Sequence, residues 1–521
     1  RLVVVDTKVS AFNLTPGRAL ALRLNVAGPG PLELLWHKDG APLTASQRVT
    51  GVTGQDLVIN NLTTADSGIY TCVVTTPQGV LTGGENRVNV VELAPQITLN
   101  PAVMPDGRIG LPYSFFIPLN PERGLATTFN AAGLPAGLVL NAATGLISGN
   151  PTQSRTQPFS VTLKATNSKG SSTLVATISV APLPEGLAGV YAGIIERAAM
   201  NRHLGGRFDL AVAGTGSFTG KVLLGAGIQD NLQGVLRLSP GSPLVSVEIL
   251  TGGRAYTFTL NPQSRRITDG VAASGEGTAD FIGWREAFNE SSGAGLAFAG
   301  SHNFGMEMPS TVRGKPGFPE GTGFGHCNVR NGGRDAVITG KTADGEACTG
   351  GSVLSDNGEV VVFSRGTKGS LSGVMKVLPD LAPPFGNIRL GGELSWMRLP
   401  LAGRVYPAGF GPLNLRIFGG RYREPAFATV LGSPTARLTF AGADIGGPPS
   451  LVDRLFTLPF GVQSFTLKDR DVTLNVRPGA NARLESGGFS GSFKFTQRDV
   501  ANPPFNVLTR SASFEGVIIP D

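Results

Sequence analysis

Cysteine is scarce in this chain of 521 residues: there are three, Cys72, Cys327 and Cys348. That count excludes a small disulfide-stapled scaffold, which needs several even pairs. Histidine is nearly as rare, with four residues, His37, His203, His302 and His326. No His-Glu-x-x-His or Cys-x-x-Cys spacing occurs, so the common zinc motifs are absent. There is no Gly-x-Ser-x-Gly elbow to carry a nucleophilic serine. Apolar runs are short, and none approaches the ~20 residues of a membrane-spanning helix. Neither an initiator methionine nor a secretory leader heads the chain, and Arg1 reads as a processed or artificial end.

Charge is sparse too, at 16% of residues, with a net +7. The excess is spread thinly: residues 1–93 carry seven basic and seven acidic side chains, 94–183 carry five and two, and the remainder 32 and 28. A nucleic-acid binder gathers Lys and Arg on one face beside stacking aromatics. No such cluster occurs in the sequence, so a mildly basic, solvated surface is expected and no nucleic-acid partner.

What is present is glycine, 73 residues, about twice the usual ~7%. Thirty-seven prolines and 41% hydrophobic residues accompany it, the latter in alternating runs. Alternation with turn residues between runs predicts many short strands, and the lack of long 3.6-period segments leaves little room for helix. The expectation is an all-β chain of several domains.

In residues 1–93, "LELLWHKDG" (32–40) sets Trp36 on an apolar strand, and "DLVINNLTTADSGIYTCVV" (56–74) supplies two more. Trp36, Asp66, Gly68, Tyr70 and Cys72 together resemble the immunoglobulin fold of the I-set type. The resemblance implies a partner cysteine near the end of the strand preceding Trp36. That strand has Leu20, Leu22, Leu24 and Val26 pointing inward, and Leu24 stands where the cysteine belongs. Cys72 is therefore expected to be a free thiol, packed with Leu24 and Trp36 in place of a bond.

Residues 94–183 contain "LPAGLVLNAATGLISGNPT", followed by a strand pair turning at Asn167–Gly170. This resembles the cadherin-like Ig modules repeated in bacterial surface proteins. Some cadherin-like relatives hold Ca²⁺ through clustered carboxylates. This segment has only Asp106 and Glu122, too few for a cation that takes six to eight oxygens. No metal is expected.

Residues 184–521 proceed through glycine-punctuated alternation. "GSFTGKVLL" (216–224), "GSLSGVMKV" (369–377) and "GGFSGSFKF" (487–495) read as strands bent at glycine, as at a barrel corner. Asn331-Gly332-Gly333, Asp344-Gly345 and Asn357-Gly358 close successive hairpins into a meander. Closing a meander removes its edges. One or two antiparallel β-barrels or curled sandwiches are expected, divided near 310 into 184–310 and 311–521 or fused as one unit. With "GVYAGIIER" (189–197), "TADG" (342–345), "ELSWMRLP" (393–400) and "YPAGFG" (406–411), the region resembles the uncharacterised β-rich C-terminal part of large secreted proteins of Verrucomicrobia-type bacteria. No activity follows from that resemblance.

Cys327 and Cys348 lie in one meander of an expected secreted protein, which favours a disulfide. The turn register opposes it, because it sets the two on either side of one strand, ~9.6 Å apart. The bond stays open on sequence grounds. His326 and Cys327 are strand neighbours facing opposite ways, unsuited to one metal. "GTGFGHC" (321–327) leads into a strand, so no helix N-terminus awaits a phosphate. "DFIGWREAFNE" (280–290) sets Trp284 among Glu286 and Glu290, a candidate sugar platform.

No catalytic or cofactor-binding constellation emerges. The sequence therefore reads as a secreted or cell-surface structural protein that associates with itself into a homopolymer. "RLVVVDTKVS" (1–10) and "ASFEGVIIPD" (512–521) are candidate strands for exchange between subunits. A glycan-binding adhesin recognising surface polysaccharide is the alternative. A carbohydrate-active hydrolase with two converging carboxylates is the third reading.

Overall fold

The computed structural model describes residues 9–28, 30–121, 123–225, 227–288, 293–379, 389–402 and 406–421. It also describes the strands Val4–Val5, Thr435–Phe440, Val452–Thr457, Phe465–Asp469, Val472–Val476, Gly488–Arg498 and Val507–Val517. The chain forms two compact units, Arg1–Leu183 and Pro184–Asp521.

The first unit contains two β-sandwiches. In the N-terminal one, Gly68–Thr76 pairs with Glu33–Lys38 on one side and with Asn86–Val90 on the other. Ser10–Leu14 then joins Asn86–Val90 in parallel. The facing sheet is Leu20–Arg23, Asp56–Ile59 and Val49–Thr50. Strict alternation drives this arrangement: Leu20, Leu22 and Leu24 are buried while Ala21 and Arg23 face water. Trp36 stands directly opposite Cys72, and both share one core with Leu24. Tyr70 closes the corner by donating its hydroxyl to the Asp66 carbonyl at 2.7 Å. Asp66 in turn holds Arg48 through two hydrogen bonds of 2.7 and 2.8 Å.

The second sandwich sets Tyr113–Phe116, Leu146–Gly149 and Leu138–Leu140 against Thr128–Ala132, Phe159–Asn167 and Gly170–Ile178. Its long hairpin turns where Asn167 pairs with Gly170. Phe159, Val161, Leu163 and Ala165 point inward from alternate positions and are 0–1% exposed.

The second unit is built on two eight-stranded sheets, numbered here from β1. The first comprises β1 (Gly189–Ile195), β2 (Gly206–Val212), β3 (Ser217–Leu224), β4 (Gln229–Val235), β5 (Val245–Thr251), β6 (Arg254–Asn261), β7 (Arg266–Ser274) and β8 (Gly277–Arg285). The second comprises β9 (Gly300–Glu307), β10 (Gly323–Arg330), β11 (Asp335–Lys341), β12 (Ala347–Gly350), β13 (Glu359–Arg365), β14 (Gly369–Leu378), β15 (Arg389–Arg398) and β16 (Phe410–Arg421). The spatial orders are β4-β3-β2-β1-β8-β7-β6-β5 and β12-β11-β10-β9-β16-β15-β14-β13. Each is thus two four-stranded meanders, joined by pairing the first strand with the last and curled into a nearly closed barrel.

The two barrels share more than topology. In each, the opening glycine lies at positive φ, Gly189 at 143° and Gly300 at 125°. The guanidinium of the arginine ending the last strand, Arg285 or Arg421, lies against it. A Cβ on Gly189 would fall 2.4 Å from the Arg285 Nε, so only glycine admits that contact. The bend glycines behave as expected from sequence: a Cβ on Gly220 would meet the Asp209 carbonyl oxygen of the neighbouring strand at 2.5 Å.

The barrels are solid. Phe208 stacks on Phe281 at 5.0 Å between ring centroids and meets Phe258 edge-on at 5.1 Å inside the first. Phe304, Met306, Met375 and Trp396 fill the second. Each open seam is crossed by buried charge. Asp230 on β4 accepts two hydrogen bonds from Arg254, at the start of β6, at 2.6 and 2.7 Å. The Tyr256 hydroxyl adds a third at 2.6 Å. In the second barrel Asp344, in the turn before β12, is paired with Arg398 at the end of β15, both almost fully buried.

The outer faces of β1 and β13 meet, so the barrels share a third apolar cluster of Ala192, Ile194, Trp284 and Val361. Arg197 pins this junction with every guanidinium nitrogen bonded. It reaches Ser395 Oγ at 2.9 Å, Ser370 Oγ at 2.8 Å and the carbonyls of His203, Ser370 and Ser395 at 2.9, 3.1 and 2.6 Å. The second barrel begins at Gly300, upstream of the division expected near 310.

Candidate functional site

The sugar-platform reading of Trp284 is corrected by its burial. The residue is 1% exposed, packed at the junction of the barrels, with its indole nitrogen donating to the Val353 carbonyl at 3.0 Å. Stacking a sugar needs an accessible ring face, and Trp284 has none. Glu286, its neighbour, is engaged by the Arg334 Nε at 2.8 Å and the Val190 amide at 3.3 Å. Glu290 and Glu122 lie outside the described residues.

The three cysteines are free and buried. Cys327 sits opposite Ile338 and Cys348 opposite Gly340, on the two flanks of β11. The two therefore flank one strand, as the turn register implies. The open disulfide resolves as two separate thiols. Burial pushes Cys327 up to about 12, and Cys72 and Cys348 up to about 11, so none is a thiolate at neutral pH. His326 and Cys327 do face opposite ways. Cys327 is fully enclosed, while the His326 Nδ1 meets the Asn303 Oδ1 at 3.0 Å. Among the described residues no group of three or more His, Cys, Asp or Glu is placed to hold a metal ion.

The buried position that sequence reasoning missed is His302. It is 0% exposed, lies opposite Cys327, and its Nδ1 donates to the Cys327 carbonyl at 3.2 Å. Its Nε2 has no hydrogen-bond partner. Burial, aided by Arg421 and His326, lowers its pKa to about 4, so the ring is neutral at pH 7.

The cleft of interest lies at one end of the first barrel, with a volume of about 640 Å³, within the range of small-molecule sites. Pro184, Pro243 and Pro262 form rigid walls without backbone N–H groups. Arg265, Arg285, Glu185 and Glu286 supply the polar lining. The chain places Arg265 through the turn between β6 and β7. The Asn261 side chain accepts from the amides of Gln263 and Ser264, at 3.0 and 3.1 Å. Arg265 follows at φ 55°, a left-handed position normally given to Gly or Asn. Its carbonyl accepts from the Arg285 amide at 2.8 Å, which joins the two backbones.

The Arg285 Nε is committed to the Ala188 carbonyl at 2.5 Å, but its terminal nitrogens make no hydrogen bond among the described residues. Arg265 is exposed, and among the described residues its side chain makes one hydrogen bond, to the Ala287 carbonyl at a marginal 3.5 Å. Because Glu286 is already paired with Arg334, the charge left open in the cleft is two guanidiniums and the exposed Glu185. The sequence signal was the "NPQSRR" turn (261–266), in which arginine occupies a glycine position.

Residues 3–83 match the family described as Immunoglobulin I-set domain, and residues 95–181 match the one described as Putative Ig domain. A segment of 82 residues is 35% identical to mouse (Mus musculus) Hemicentin-2. It amounts to 16% of this chain and 2% of that protein, so the chain spans a small fraction of its curated relative. Among solved structures, the titin Ig tandem A164-A165 is 14% identical, covers 34% of this chain and 96% of its own, and has a TM-score of 0.18. Extracellular domains 3–5 of Drosophila OTK are 14% identical, cover 44% and 95%, and also score 0.18. These likenesses carry no argument about function. Within its first 183 residues the chain thus contains an I-set immunoglobulin domain followed by a Putative Ig domain.

Proposed function

We propose that this chain is a non-catalytic structural protein of the extracellular surface, of the bacterial type its sequence resembles, which associates with itself into a filament or surface layer. Ig-type sandwiches leading into two solid barrels suit a protein that spans and presents. No described helix is long and apolar enough to cross a membrane.

The observation that supports self-association is the strand Val507–Val517. It is outermost in its four-stranded sheet, paired with Gly488–Arg498 along one edge and with no strand along the other among the described residues. A strand of eleven residues with no described strand beyond it offers a template for strand addition by a second copy, and such contacts propagate when made head to tail. The N-terminal strand fits this role less well, since Val4 and Val5 already pair with Ala27 and Val26 of their own domain. The rest of 1–8 and 518–521 lie outside the described residues. The test is light scattering on the full chain and on a chain ending at residue 506. Growth of large species with concentration in the first and not in the second supports the proposal; a monomer in both overturns it.

The cleft between Arg265 and Arg285 favours a second reading, a glycan-binding adhesin. The two are compatible, because the cleft and the open edge lie on different parts of the second unit.

A further inference from the structure

We infer that the cleft beside Arg265 and Arg285 binds an acidic saccharide, a sugar unit bearing a carboxylate. This rests on the adhesin reading and names its ligand class. Both arginines line the cleft with open donors, and their backbones are joined by one hydrogen bond, from the Arg285 amide to the Arg265 carbonyl. A planar guanidinium matches a carboxylate with two parallel hydrogen bonds, which an ammonium cannot do.

The arginine at position 265 is held at φ 55°, where glycine would sit without strain. Retaining a long charged side chain in such a turn points to a task for that side chain. Arg285 reaches the cleft only because Gly189 leaves room for its guanidinium.

The walls decide between a bare anion, a peptide and a sugar. Pro184, Pro243 and Pro262 offer C–H surface and no N–H, so a peptide strand finds few backbone donors. A pyranose ring carries a C–H face that packs on such walls and hydroxyls that donate to the open carboxylate of Glu185. The volume of about 640 Å³ exceeds what a single small anion fills. The carboxylate of the sugar then lies between the arginines, with its ring against the prolines.

The test uses the full chain and calorimetric titration with tetragalacturonate, a neutral maltotetraose and inorganic phosphate, at physiological salt. The expected result is binding of tetragalacturonate, with neutral tetrasaccharide and phosphate each at least tenfold weaker. Arg265→Ala, an exposed site whose removal leaves the barrel core intact, lowers the affinity about ten- to hundredfold, as expected for losing charge-assisted hydrogen bonds. Arg265→Lys recovers part of it, because charge returns without the fork. Arg87→Ala, on an exposed arginine of the I-set domain, leaves it unchanged. Equal binding of the neutral sugar keeps the adhesin reading and overturns the acidic one. Tight phosphate binding overturns the saccharide. No binding of any sugar overturns both, and leaves self-association to its own test.

Discussion

At the scale of single residues, the barrels depend on buried charges whose partners are supplied by distant strands. Asp230 is 6% exposed. Burial alone would push its carboxyl up, but hydrogen bonds from Arg254 and Tyr256 outweigh that and hold it below the ordinary carboxylate range. Arg254→Ala leaves that carboxylate buried without its cation and should cost about 3 kcal/mol, at the low end for breaking a buried pair. Urea unfolding of the second unit measures it. Since the folded pKa is depressed, this stabilisation is present above the ordinary value of about 3.9 and fades as pH falls below it. His302 acts in the same direction, although it is the neutral form that the fold favours. Its folded pKa is about 4 against about 6.5 unfolded, so the unfolded chain binds one more proton between those values. Stability therefore falls as pH drops from 6.5 toward 4, by about tenfold in the folding equilibrium per pH unit. Urea midpoints at pH 7 and pH 5 should show it, and His302→Gln should flatten the slope.

At the scale of elements, what could be read from sequence was whatever alternates. The Leu20-Leu22-Leu24 strand and the hairpins at Asn167–Gly170 and Asp344-Gly345 follow from period-two patterning and turn chemistry. The strand β9 did not, because Ser301 through Met306 are buried on both faces and alternation vanishes. Trp284 misled for a related reason. It points out of its own barrel, as a ligand platform would, yet the second barrel covers it, and no local pattern reports a neighbour 69 residues away. The duplicated strand order was hidden as well, since it is a property of pairing rather than of composition. The junction makes its own prediction. Arg197 is half-buried, its pKa lowered to about 10 by burial, and it holds the second barrel through Ser370 and Ser395. Arg197→Ala should loosen the two barrels, cost about 3 kcal/mol, and red-shift the fluorescence of Trp284 as water reaches the junction.

At the scale of the whole molecule, the chain consists of two compact units, each with its own cores. Calorimetry should resolve unfolding of Arg1–Leu183 from that of Pro184–Asp521, and a fragment ending at Leu183 should keep the first transition. A single transition lost on truncation would contradict that division. The central claim concerns assembly, and one measurement bears on it most directly: negative-stain electron microscopy of the purified chain at rising concentration. The account predicts regular filaments or sheets that lengthen with concentration and disappear when residues 507–521 are removed. Dispersed single particles at every concentration would contradict it.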